Sequence, residues 1–327
     1  MAKRALITGI GGQDGSLLAE LLLDQGYDVS GIVRRAGASY PNLDGIRQRI
    51  DLVEADLNDQ FALVRALRTA RPSEVYNLAS VSFVPASWDQ PVLTAELAAV
   101  GVTALLEAIR EVDPAIRFYQ ASSSEIFGEP VESPQTEATP LSPLTPYGVA
   151  KAYAHFIVRS YRVRYGLHAS AGILYNHESA RRPREFVPSK VAHAAAAISL
   201  GLEGELWLGD LDARRDWGYA VDYVRAMWLM VQQPEGDEYV VATGETHSVR
   251  DLVEAAFGRV GVDWNEYVEI DESLVRGKAE LHNLVGDPSK AKKQLGWRPT
   301  VSFEDLVHLL VDAELDRLRG EVERTTA

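Results

Sequence analysis

Three stretches of this sequence have the residue types and spacing for chemistry. Tyr147-Gly148-Val149-Ala150-Lys151 sets a phenol and an ammonium four residues apart, which on a helix is one face. A phenol ionises at about pH 10, and a cation beside it lowers the cost of the phenolate, so such a pair suits removal of a hydroxyl proton. Upstream, Gln120-Ala121-Ser122-Ser123-Ser124-Glu125-Ile126-Phe127-Gly128 gathers three hydroxyls and a carboxylate at the end of an expected strand, the edge at which open α/β sheets take their ligands. Thr8-Gly9-Ile10-Gly11-Gly12-Gln13-Asp14-Gly15-Ser16 spaces three glycines as GxxGxxG between strand and helix. The turn needs a residue without Cβ, a pyrophosphate needs close backbone approach, and the helix N-terminus offers amide donors. The residues expected to cradle a dinucleotide are therefore Gly9, Gly12, Gln13, Asp14 and Gly15.

These groups need a frame, and the first half of the chain supplies its pattern. Short apolar runs at Arg4–Thr8, Val29–Val33, Ile50–Glu54, Glu74–Leu78, Arg117–Ser122 and Ala169–Tyr175 alternate with helical stretches at Ser16–Asp24, Asp59–Thr69, Val92–Val112 and Tyr147–Tyr165. That alternation predicts an α/β fold, a doubly wound parallel sheet of the Rossmann type over residues 1–175. After Asn176 the elements shorten, which predicts a smaller α/β substrate-binding lobe over 176–327, with some segments returning to the first domain. The second expected strand ends Val33-Arg34-Arg35, two guanidinium groups and no carboxylate, which favours NADP over NAD. Asp56-Leu57 and Leu78-Ala79-Ser80 stand at the ends of the third and fourth strands, where they would border the adenine and nicotinamide portions. The last amphipathic helix is expected over Phe303–Leu318, with Gly320–Ala327 frayed.

Composition narrows the class. The chain has 327 residues, 46% hydrophobic and 24% charged, which is ordinary globular usage. Its 33 Lys+Arg against 47 Asp+Glu give a net charge of −14, a sign that repels nucleic acid. Without cysteine there is no disulfide, thiolate nucleophile or thiolate-held zinc, and the 7 His show no HxxxH or HExxH spacing, so no metal is expected. The most suggestive apolar run, Val191–Leu202, reads as a packed helix rather than a membrane span. Lys3 and Arg4 lead at once into Ala5-Leu6-Ile7-Thr8-Gly9, too short a run for a signal-peptide core, so the expected location is the cytoplasm.

GxxGxxG, YxxxK and a serine-rich strand end together resemble the extended short-chain dehydrogenase/reductases that modify nucleotide sugars. Within that group the chain is similar to the GDP-mannose 4,6-dehydratase family, in GQDGSLLAELL, EVYNLAS, QASSSEIFG, PYGVAKAYAH, GILYNHES, RRDWGYAVDYVRAMWLM, VATGETHSVRDLVE and LVGDPSKAKKQLGW. The last four lie outside the shared fold core and are the most specific.

The resemblance implies a lyase that converts GDP-mannose to GDP-4-keto-6-deoxymannose by internal hydride transfer through NADP. Tyr147 would take the proton of the 4-hydroxyl with Ser123 bonded to the same oxygen, Lys151 would support the phenolate, and Glu125 would remove the carbon-5 proton and return it to the departing 6-hydroxyl. Dehydratases of deoxythymidine-diphosphate glucose carry an Asp before that Glu, where this chain has Ser124, so one carboxylate would make both transfers. The resemblance also assigns His177 to the cofactor, and Ser82, Asn176, Val187, Lys190, Arg215, Arg276 and Glu280 to the nucleotide sugar. It implies a homodimer or homotetramer, paired through Val92–Val112 and Tyr147–Tyr165 and through the stretch after Arg35. Three places depart from the family: Phe83 stands where His is usual, Pro183 where Gly is usual, and Arg276-Gly277-Lys278-Ala279-Glu280 is one residue longer than Arg-Pro-x-Glu. The rival readings are a dehydratase, 4-keto reductase or 4-epimerase of another nucleotide sugar and, in a different class, a non-catalytic NADP-binding sensor.

Overall fold

The computed structural model describes residues 2–275 and 284–326. Seven strands build the central sheet: β1 (Arg4–Thr8), β2 (Asp28–Val33), β3 (Ile50–Glu54), β4 (Glu74–Asn77), β5 (Arg117–Ala121), β6 (Ala169–Leu174) and, much later in the chain, β11 (Glu238–Val241). All neighbours run parallel in the order β11-β6-β5-β4-β1-β2-β3. The chain winds outward from β1 to β3, then restarts on the other side of β1 with β4, and that reversal is where sheets of this kind open a ligand crevice.

Both faces of the sheet are covered, which is why its strands read as nearly continuous apolar runs. Side chains alternate between the faces: Ala5 and Ile7 of β1 pack under α1 (Gln13–Asp24) and α8 (Ala220–Gln232), while Leu6 between them packs on the other side. That other side carries α2 (Gln60–Ala70), α5 (Gly101–Val112) and α6 (Pro146–Tyr165). Two short helices, α3 (Ala86–Asp89) and α4 (Pro91–Ala95), lead through a π-helical turn at Glu96–Val100 into α5.

Beyond residue 175 the described chain returns to the first layer as α8, as β11 and as the π-helical turn Ala291–Leu295 with Trp297. The rest forms a second apolar core. In it β7 (Asn176–Glu178) pairs with β10 (Trp217–Tyr219), β8 (Leu206–Leu208) with β13 (Val268–Ile270), and β9 (Arg214–Arg215) with β12 (His247–Ser248). Helices α7 (Val187–Ser199), α9 (Val249–Val260) and α10 (Phe303–Thr326) enclose Trp217, Leu252, Phe257, Leu310 and Val311.

Three elements differ from the sequence reading. Helix α1 begins at Gln13, not Ser16, because Gly15 fits inside its first turn where a Cβ would lie 2.3 Å from the Gly9 carbonyl oxygen. Helix α10 runs on to Thr326, its added turns tied by Arg317 to Glu314 and Glu321, pairs at i,i+3 and i,i+4. The most apolar long helical stretch is Pro91–Val112 rather than Val191–Leu202. It has the length and composition of a membrane span, with half of its apolar window buried, and packs against α2 and α6.

Asp216 ties the second lobe to the loops around it. Its fully buried carboxylate accepts from the Thr243 amide and hydroxyl and from the amides of Gly244 and Gly286. Asp216→Ala leaves the amides of Thr243, Gly244 and Gly286 without this acceptor, and the expected loss is about 2–4 kcal/mol of stability, read from the midpoint of urea unfolding.

Candidate active site

At the carboxyl edge of the sheet a cleft of about 670 Å³ runs between the lobes, a size typical of small-molecule and cofactor sites. Its floor is tied together by a buried side-chain relay. Thr8 Oγ1 donates to Asn77 Oδ1 (2.5 Å), Asn77 Nδ2 to Gln120 Oε1 (2.8 Å), and Gln120 Nε2 to the Ala121 carbonyl (2.8 Å). Lys151 Nζ donates to that same carbonyl at 2.9 Å. Strand ends β1, β4 and β5 and helix α6 are thus held in one register.

The glycine turn closes tightly. Gly9 has φ +70° and faces the Ala79 backbone, where a Cβ would come within 2.9 Å, and the Gly12 amide donates back to the Gly9 carbonyl. Gly12 caps α1 without a side-chain hydrogen bond, so the first amides of that helix face the cleft. A close-packed turn, open helix amides and Arg34 on the same wall fit the phosphates of a dinucleotide. Gly9, Gly12, Gln13, Asp14, Gly15, Arg34, Asp56, Leu57, Leu78, Ala79 and Ser80 all line the cleft; Arg35 lies outside its wall, its carbonyl taken by Tyr40 Oη.

Asp14 and His177 form a joint across the lobes. His177 Nε2 meets Asp14 Oδ2 at 2.8 Å, and Nδ1 meets the Tyr175 carbonyl at 2.7 Å. Both partners can accept, an arrangement that favours the doubly protonated ring. Burial opposes the charges, yet their mutual attraction prevails: His177 is held above the usual imidazole range and Asp14 down at about 2.

The proposed chemistry set converges on the cleft because of one missing side chain. Helix α6 starts at Pro146, with Thr145 Oγ1 accepting from the Gly148 amide, and Gly148 presses on the short turn Ser124–Ile126, where a Cβ would lie 2.7 Å from the Glu125 carbonyl oxygen. Tyr147 and Glu125 therefore reach the same space, and Ser123 hydrogen-bonds the Tyr147 phenol. Lys151 Nζ lies 5.6 Å from the centre of the Tyr147 ring. Burial pushes Tyr147 up to about 12, with Glu125 and Asp14 adding to the rise and the Ser123 bond and Arg182 opposing it. Burial also pulls Lys151 down to about 8. Desolvation here outweighs the cation effect on which the Tyr/Lys spacing argument rests.

Of the expected substrate contacts, Ser82, Asn176, Val187 and Arg215 line the cleft, whereas Lys190 turns its Nζ to the Trp207 carbonyl. Arg276 and Glu280 lie outside the described residues. Arg182 and Glu178, to which the sequence reading gave no role, also line the cleft. The Arg182 guanidinium lies 3.6 Å from the centre of the Phe186 ring, with Nε 3.2 Å from a Glu178 carboxylate that is 1% exposed and accepts no hydrogen bond. Phe83 meets Phe186 edge-on at 5.5 Å. An arginine pair just past Asn176 was the available signal.

Because the folded-state pKa of Lys151 lies below its unfolded value near 10.5, the folded chain holds fewer protons between those values, and its stability climbs as pH rises through that window. Lys151→Met is expected to raise stability at pH 7 by about 1–3 kcal/mol, net of the lost bond to Ala121. That gain shrinks toward pH 10; urea unfolding at both pH values reads it.

Comparison with known proteins supplies the lineage. A family model described as GDP-mannose 4,6 dehydratase matches residues 6–310. The chain is 46% identical to GDP-mannose 4,6 dehydratase 1 of Arabidopsis thaliana, over 98% of this chain and 91% of that protein. It is 45% identical to the GDP-mannose 4,6-dehydratase of Sinorhizobium fredii (strain HH103), over 97% and 98%. Among solved structures, DesIV, a dTDP-glucose 4,6-dehydratase from Streptomyces venezuelae with NAD bound, superposes with a TM-score of 0.85 at 25% identity, covering 97% of this chain and 98% of that one. The match runs through both lobes, and the chain belongs to the GDP-mannose 4,6-dehydratase family.

Proposed function

We propose that this enzyme dehydrates GDP-mannose to GDP-4-keto-6-deoxymannose with NADP. What carries the reading is the approach of α6 to the Ser124–Ile126 turn at Gly148, which sets a carboxylate and a phenol on one cleft in a chain of this family. Arg34 on the cleft wall just past β2, in a strand end Val33-Arg34-Arg35 that carries no carboxylate, supports NADP over NAD.

A bound nicotinamide cofactor supplies the internal redox couple that lets hydrogen pass from carbon 4 to carbon 6 with no net oxidation. Tyr147 Oη takes the proton of the 4-hydroxyl, and Ser123 orients that oxygen. Lys151, fixed by Ala121, holds positive charge beneath the phenol. The Glu125 carboxylate takes the proton from carbon 5, made acidic by the neighbouring ketone, and hands it to the 6-hydroxyl as water departs. Arg215 and Arg182 put cations beside a dianionic diphosphate on a protein of net charge −14.

We also propose a two-fold assembly. On α6, Val149, Tyr153, Phe156 and Val163 repeat at helical spacing and are exposed, beside exposed Val92 and Val100 on the adjoining helix. We place the enzyme in the cytoplasm, where a cysteine-free chain forgoes no disulfide.

In heavy water, the product of GDP-mannose turnover should carry deuterium at carbon 5 and lack the 6-hydroxyl by NMR; a product retaining that hydroxyl refutes the reading. Glu125→Gln should abolish both signals, and Tyr147→Phe should lower kcat by about 10²–10⁴-fold. Light scattering should report a dimer or tetramer, and Phe156→Glu should move it to smaller species.

A further inference from the structure

Between β2 and β3 the chain doubles back on its own glycine turn. Tyr40 is half-buried and lines the cleft alongside Gly11 and Arg34. Its ring packs so closely on Gly11 that a Cβ there would lie 2.5 Å from ring atom Cδ1, and the three atoms nearest that Cβ all belong to Tyr40. Gly11 does not adopt a left-handed conformation, so the Tyr40 ring is what excludes a side chain at this position. The placement is fixed from three sides. Tyr40 Oη donates to the Arg35 carbonyl (3.0 Å), and Asn42 Nδ2 donates to the Gly11 carbonyl (3.1 Å). Leu43 and Ile46 anchor the 3₁₀ turn Pro41–Arg49 in the apolar layer beneath α1.

We infer that Tyr40 is a cofactor-retaining residue: its ring, seated on Gly11 and braced by Asn42, closes the phosphate-binding turn over the adenosine half of a nicotinamide dinucleotide and slows its release. The inference rests on the dinucleotide reading above and adds to it a residue and a function. A reaction that returns its hydride to the sugar it came from needs no exchange of cofactor, so slow release does not limit the cycle. It also keeps the enzyme loaded when free cofactor is scarce. Within its own chain, the stretch after Arg35 packs on the glycine turn through Tyr40 and Asn42.

The test is the rate of NADPH loss from loaded enzyme on chase with excess NADP⁺, followed by NADPH fluorescence without any sugar. Tyr40→Ala should release NADPH about tenfold faster, a difference of about 1.4 kcal/mol in barrier. Gly11→Ala should do the same, because its methyl displaces the ring. The double variant should be no faster than Tyr40→Ala alone, since the methyl then enters vacated space. Tyr40→Phe keeps the ring but loses its bond to the Arg35 carbonyl, and should release NADPH more slowly than Tyr40→Ala, between that variant and the wild type; release as fast as from Tyr40→Ala overturns the role given to the ring. Wild-type release from Tyr40→Ala overturns the inference, and so do single effects that multiply to about a hundredfold in the double variant. Should Gly11→Ala fail to fold, the contrast between Tyr40→Ala and Tyr40→Phe decides alone. A wild type that binds no nicotinamide dinucleotide removes the cofactor reading itself, whereas a wild type that binds one but leaves GDP-mannose unchanged removes the proposed reaction and leaves the release test standing.

Discussion

Everything at the cleft depends on one buried chain of hydrogen bonds, from Thr8 through Asn77 and Gln120 to the Ala121 carbonyl shared with Lys151. Polar side chains at the ends of central strands are costly unless every donor and acceptor is met. Here the hydroxyl of Thr8 also accepts the amides of Leu78 and Ala79, so the residues under the glycine turn and the lysine under the phenol belong to one network. The position of the glycine turn and that of Lys151 are consequently not independent variables.

Around that network the site is a balance of buried charge. An acidic protein brings cations to this cleft from both lobes, Arg34 from the first and Arg182 and Arg215 from the second, where phosphates would lie. At the Asp14–His177 joint mutual attraction outweighs burial, because each group is the other's nearest charged partner. Tyr147 and Lys151 are instead displaced toward their neutral forms by the dry surroundings. Positive charge placed beside the phenol would favour its ionisation and offset the effect of burial.

The central sheet and its six first-half strands were legible because strands buried on both faces leave apolar runs that glycine and polar turns interrupt. The glycine turn, Ser123, Glu125, Tyr147 and Lys151 were legible as motifs because local spacing on a strand end or helix face decides where they point. Other features come from encounters between distant segments. Tyr40 on Gly11, Glu178 against Arg182, and Phe83 on Phe186 have no local pattern, since each pairs a loop with a partner chosen by the tertiary fold. The start of α1 was misjudged for a related reason: glycine disfavours helices in general, but here the absence of Cβ is what lets the first turn sit on Gly9.

The passage between the lobes has a mechanical meaning. Strand β6 ends at Leu174 and β7 begins at Asn176, with only Tyr175 between them. That residue is pinned by its amide to Val241, by its hydroxyl to Gln135 and by its carbonyl to His177. A crossing stitched at every polar atom is a weld rather than a hinge. Any swing of the two lobes about this crossing would have to break those three bonds together, so the joint resists bending at the point where the chain passes from one lobe to the other.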